Sequence, residues 1–240
     1  MRWKITYKIA DNVTVEAPHD GYDAHGIKLV CEAGQLQEVE HILEVDDSDS
    51  GDEILLASRE QLRFFWEFVA FSRLLPPRIA SYHREKLDRA DGEPRVRTGS
   101  IVGESGYSVA RPVVFPPEET LNRLSSDERL VRWLGWANRA RRVGGDDAEA
   151  ILPLYFVCED WKRHRPHVVN TQLVRELKHV RDFVSHARLD KNKAALAFLE
   201  QQLGGLRNRY EPTNPKDAIL VRDYRERAQR YIDAELSAMF

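Results

Sequence analysis

The chain has 240 residues, 42% of them hydrophobic and 31% charged, a balance suited to a globular protein with a sizeable core. No apolar run approaches the roughly 20 residues of a membrane span, and Met1-Arg2-Trp3-Lys4-Ile5-Thr6 lacks the apolar stretch of a signal peptide, so the expected compartment is the cytoplasm, without membrane partners. The net charge of −3 hides two unlike halves: residues 1–120 carry 14 basic and 22 acidic side chains, residues 121–240 carry 22 and 17, and only the second half suits a polyanion.

Trp3-Lys4-Ile5-Thr6-Tyr7-Lys8-Ile9 alternates with period two, and Asp11-Asn12 separates it from Val13-Thr14-Val15, which predicts a β-hairpin. Gly26 to Val30 is a further strand, and Glu38 to Val45 is a strand or a short helix. Asp46 to Glu53 resembles a calcium loop, but counted from Asp47 its fifth position is Gly51, where an oxygen ligand belongs; a solvated acidic loop is expected instead. Leu62, Phe65, Trp66, Val69 and Leu74 recur at helical spacing, predicting a buried helix from Arg59 to Leu75 that stops at Pro76-Pro77. Residues 88–117 are rich in turn formers and read as loops with one or two strands, closing on the junction Pro116-Pro117.

Beyond that junction the pattern becomes helical. One helix begins at Ser126-Asp127-Glu128, buries Leu130, Trp133, Leu134 and Ala137, and ends at Gly144-Gly145. A second, from Asp146 to about Trp161, is apolar almost all round and belongs in the centre. A third runs from Asn170 to Leu189, a fourth from about Lys193 to Leu203, and a last from Asp217 to near Met239. The expected fold class is α+β, with a β-rich or mixed N-terminal domain over 1–118 and an up-and-down helical bundle over 119–240.

Cys31 and Cys158 are far apart and read as buried free thiols. His164 and His167 lie in an expected exposed basic turn, Lys162 to His167, and do not complete a zinc site; Gly103 to Gly106 and Gly204-Gly205 lack a phosphate loop's lysine, and no cofactor is expected. Arg181-Asp182-Phe183-Val184-Ser185-His186 is the stretch that suggests chemistry. With 27 arginines and eight histidines, chance supplies about one pair at this spacing, so the helical context must carry the argument. Arg78 and His83 share the spacing without an acidic neighbour and are set aside.

Leu130 to Ala137, Leu154-Tyr155-Phe156-Val157-Cys158-Glu159 and Arg181-Asp182 through His186 together resemble the HEPN superfamily, in particular its ApeA-like branch, over about residues 125–238. That family's motif is arginine, commonly a polar residue, and then histidine after four to six intervening positions. Many members place glycine after the histidine, where this chain has Ala187. The resemblance implies a homodimer whose paired motifs form a metal-independent endoribonuclease, such as a defence or toxin effector held by an antitoxin or regulatory protein. It equally implies an alternative, a non-catalytic dimerising module that binds nucleic acid or protein. Under the first reading Arg181 and His186 are catalytic, Asp182 orients them and Glu159 supports Arg181; Arg163, Arg165, Arg175, Lys178 and Arg188 are the candidate RNA contacts. On a straight helix a five-residue separation turns two side chains about 140° apart, so a helix end or a second subunit must bring the pair together.

Overall fold

The computed structural model describes all residues except 17–20, 47–49, 74–76, 89–98, 101–112, 115–117, 143–145, 187–188 and 190. The fold is mixed α+β, and the chain divides into two compact units, Met1–Val131 and Arg132–Phe240.

The first unit is built on an antiparallel sheet in the order β2-β3-β1-β4-β5, formed by β1 (Arg2–Glu16), β2 (Ile27–Glu32), β3 (Gln35–Glu44), β4 (Ile79–Lys86) and β5 (Gly99–Ser100). A short β6 (Val113–Val114) pairs in parallel with the far end of β1. Strand alternation sends Ile5, Tyr7, Ile27, Leu29, Val39 and Leu43 into the core. The expected hairpin does not form. Asp11-Asn12 is no turn but an irregularity within one 15-residue strand, where the pairing with β3 slips between Lys8 and Val13. The Asp11 carboxylate instead accepts from the Arg78 backbone N–H (3.0 Å) and Nε (2.6 Å), which fastens the bulge to the start of β4.

The acidic segment is also not all loop. Ser50 and Glu53 form a capping box that opens α1 (Gly51–Gln61), although Asp47 to Asp49 lie outside the described residues. The single helix expected over 59–75 is two, α1 and α2 (Arg63–Arg73), broken at Leu62. β4 and α3 (Glu118–Ser126) were not expected from the sequence pattern.

A polar chain crosses this core. The Tyr7 hydroxyl donates to Ser58 Oγ (2.8 Å), and Ser58 Oγ lies 2.9 Å from His41 Nδ1. Ser58, accepting from Tyr7, is free to donate to Nδ1, which fits a neutral imidazole carrying its proton on Nε2. Burial pushes the His41 pKa down to about 4, against a weak upward pull from Asp23.

In the second unit, α4 (Glu128–Arg142) starts inside the first unit's last residues, with Asp127 Oδ1 accepting from the Arg129 and Leu130 N–H groups. Asp146 caps α5 (Asp147–His164), Asn170 caps α6 (Thr171–Ser185), Asn192 caps α7 (Lys193–Leu203) and Asn214 caps α8 (Pro215–Ser237). The αL residue Gly204, φ +70°, closes α7. Helix α5 packs on α6 and α8, and α7 packs on both as well. Contacts of Asn170 with Tyr231 and of Glu176 with Tyr224 and Arg227 show α6 running against α8. Trp161, fully buried, meets Trp133 and Tyr231 edge-on, with ring centres 5.9 and 5.8 Å away.

Two helix ends differ from expectation. Helix α5 continues through His164, so Lys162, Arg163 and His164 are helical and only Arg165 to His167 turn. Helix α6 stops at Ser185, four residues short of Leu189. Cys158 is a buried free thiol as expected, pushed up to about 12 by burial, whereas Cys31 is only half-buried. No helix among the described residues is long and apolar enough to cross a membrane.

The His41 arrangement yields a pH dependence with a definite sign. A histidine lowered from 6.5 to about 4 on folding contributes stability that is complete above pH 6.5 and is lost as pH falls through 4. Hydrogen exchange of the β1 and β3 amides should report a loss of about 3 kcal/mol of protection between those limits, much reduced in His41→Asn. Protection that stays flat in the wild type would refute the neutral buried imidazole.

Candidate functional site

The end of α6 is organised by the Asp182 carboxylate, which is almost wholly removed from water, 5% exposed. Its Oδ1 stands 3.2 Å from Arg181 Nη2 and 3.8 Å from His186 Nε2, and its Oδ2 accepts from Asn192 Nδ2 at 2.9 Å. Asn192 Oδ1 in turn accepts from the Ala195 N–H, so one amide both starts α7 and holds the carboxylate. His186 is the last cap of α6: its N–H donates to the Asp182 carbonyl (3.1 Å), while its own backbone is extended (φ −110°, ψ 135°). Asp182 lies one position after Arg181 and four before His186, the spacing at which helical side chains are neighbours, so both side chains approach the same carboxylate oxygen within one chain.

The three side chains differ in access. His186 is the open one, with its side chain 55% exposed against 24% for Arg181 and 7% for Asp182. The Arg181 guanidinium lies over the Tyr155 ring, 4.6 Å from its centre, and its Nε is buried without a hydrogen-bond partner. Tyr155 donates its hydroxyl to Glu159 Oε2 one turn along α5. Burial, reinforced by that carboxylate, pushes the phenol up to about 12, so Tyr155 remains a neutral donor. Glu159 thus supports Arg181 through Tyr155, and its own ion pair is with Arg163 at 3.7 Å.

The expected RNA contacts are spread over α5, its C-terminal end and α6. Arg163 is engaged by Glu159, and the Arg165 N–H donates to the Trp161 carbonyl at the end of α5. Arg175 and Lys178 are exposed on α6 and line, with Lys162 of α5, a cavity of about 430 Å³ whose wall includes Tyr155 and Glu159. Arg188 lies outside the described residues, as does Ala187. His164 sits 3.6 Å from Asp160, away from any zinc-like cluster, and among the described residues no group of histidine, cysteine or carboxylate side chains could hold a metal ion.

A second cavity, about 550 Å³, opens beside the last turn of α6 at Val184 and Ser185 and is walled by Trp136, Leu152 and Phe156. Leu152 and Phe156 are 38% and 41% exposed and form an apolar strip on α5.

Tyr155, Asn192 and His179 have no site role in the sequence reading. Tyr155 sits one helical turn before Glu159, and Asn192 directly precedes a predicted helix; both signals were available. His179 stacks on Phe198 (5.2 Å), and burial lowers its pKa against the opposing pull of Asp182. It is a packed histidine.

No family model, curated protein or solved structure matches the chain. The chemistry of the site therefore rests on its own geometry. An imidazole open to solvent is placed to exchange a proton with a bound substrate, and the neighbouring guanidinium can face a developing oxyanion. The buried carboxylate accepts without donating and fixes both.

Asp182→Ala should destabilise the protein by about 2–4 kcal/mol, because it leaves a half-buried guanidinium and an amide unpaired. Asn192→Ala should cost about 1–2 kcal/mol through the lost cap and the lost carboxylate bond. Urea titrations followed by helical circular dichroism measure both; a change below about 0.5 kcal/mol for Asp182→Ala would contradict its role as the organising group.

Proposed function

We propose that residues 125–238 form a HEPN-type helical bundle and that the protein is a metal-independent endoribonuclease acting as a homodimer. The observation that carries this reading is the meeting of Arg181 and His186 at a single buried oxygen of Asp182, with the imidazole open to solvent. In the reaction, a ribose 2′-oxygen attacks the adjacent phosphorus and the P–O5′ bond breaks. The proton of the 2′-hydroxyl passes to a histidine, the leaving O5′ takes a proton, and the products are a 2′,3′-cyclic phosphate and a 5′-hydroxyl. Arg181 faces the negative charge that accumulates on the five-coordinate phosphorus, and Tyr155 and Asp182 hold its plane. In the dimer, the second copy's motif supplies the second proton-transfer group, so that one imidazole accepts while the other donates.

The activity fits a defence or toxin effector kept in check by an antitoxin or regulatory protein, with the N-terminal unit as sensor or restraint. One observation favours a second reading, a non-catalytic module that binds RNA or protein: the Arg181 guanidinium is already held between the Tyr155 face and Asp182, which limits its reach towards a phosphate.

Incubation with transfer RNA and mixed single-stranded RNA in chelator separates the two. The wild type should cut, and Arg181→Ala and His186→Ala should each lower the rate by about a hundredfold or more. Undiminished cutting by His186→Ala contradicts the nuclease reading, and RNA that is bound but left whole by the wild type supports the module.

A further inference from the structure

The cavity between α5 and the first half of α6 has no part in the proton transfers, yet it adjoins them. Tyr155 forms part of its wall and carries the Arg181 guanidinium on its ring face. Beside the neutral polar Thr171 and Gln172, the lining offers apolar and cationic groups. Tyr155, Val169 and Val174 supply apolar surface; Lys162, Arg175 and Lys178 supply three cations. Glu159, the acid of the lining, is taken up by the Tyr155 hydroxyl and by Arg163, which leaves the cavity with an excess of positive charge. Its volume, about 430 Å³, lies within the range of small-molecule sites and suits one base with its sugar.

Arg175, Lys178 and Arg181 also follow one another at three-residue intervals on α6. The helical rise places them about 4.5 Å apart along the axis and turns each about 60° from the last, an inclined row that offers more than one backbone phosphate a cation. A plain anion site would need no apolar wall, and an apolar ligand would not tolerate three unneutralised cations. The combination calls for a base beside a phosphate.

We propose that this cavity is a nucleotide subsite: it receives one unpaired base of a single-stranded RNA, while Arg175 and Lys178 hold the phosphates that lead to Arg181. The inference rests on RNA being the substrate of the Arg181–His186 site, and it adds that the substrate is single-stranded and enters along α6.

The test is equilibrium binding by the full chain of a fluorescent single-stranded RNA of about ten nucleotides carrying 2′-O-methyl groups, which cannot be cut, and of an abasic oligomer of the same length. The wild type should bind the base-bearing oligomer about fivefold more tightly or better. Arg175→Glu/Lys178→Glu, both at exposed positions and checked for wild-type helical circular dichroism, should weaken that binding by about tenfold or more and flatten its salt dependence. Arg222→Glu, an exposed charge reversal on α8, should change it by less than about twofold. Equal affinity for the abasic oligomer, or wild-type affinity in the double variant, overturns the subsite. Because the oligomer is inert, the expected binding pattern without cleavage of ordinary RNA would sink the nuclease reading alone. Cleavage of ordinary RNA that the double variant leaves unchanged would sink the subsite alone.

Discussion

A carboxylate taken out of water in the last turn of a helix stands against both its solvation and the helix dipole, which favours cations at that end. Asp182 is held there because its oxygens meet Arg181, Asn192 and, when it is charged, His186. The arrangement has structural reach. Asn192 ties the carboxylate to the first turn of α7, and the Asp182 carbonyl receives the His186 N–H that ends α6. The groups that satisfy this charge thus link the last turn of α6 to the first turn of α7.

Behind it lies a rigid support. Tyr155, which carries Arg181, sits on α5 between Pro153 and the wholly buried Trp161. Trp161 is wedged between Trp133 of α4 and Tyr231 of α8, so a shift of α5 would have to repack both aromatic contacts. The Tyr231 hydroxyl donates to the Val168 carbonyl and accepts from the Asn170 N–H, anchoring the α5–α6 connection as well. The guanidinium is thus placed by packing, and the imidazole by the helix end.

Much of the helical unit was legible because its signals are local. Asn192 and Gly204 bracket α7, Asn214-Pro215 opens α8, and Asp146 opens α5, each through a cap that needs only neighbouring residues. The end of α6 was not legible, because Val184-Ser185-His186 carries no stop signal. The sheet shows the same division. The alternation of β1 was plain, but Asp11-Asn12 has turn chemistry that Arg78 redirects from 67 residues away. β4 lacks clean alternation, and its burial is only partial along its length; its pairing with β1 makes it a strand. At the candidate site Arg181, Asp182 and His186 were named from the sequence, whereas Tyr155 and Asn192 emerged only once α5 and α7 were placed beside α6.

In the nuclease we propose, the Arg181–His186 pair drives attack by the neighbouring 2′-oxygen. The direct measurement is the identity of the ends left on a labelled RNA after incubation with the wild-type protein in chelator. Fragments with a 2′,3′-cyclic phosphate and a 5′-hydroxyl are the predicted result; fragments with a 3′-hydroxyl and a 5′-phosphate would contradict it.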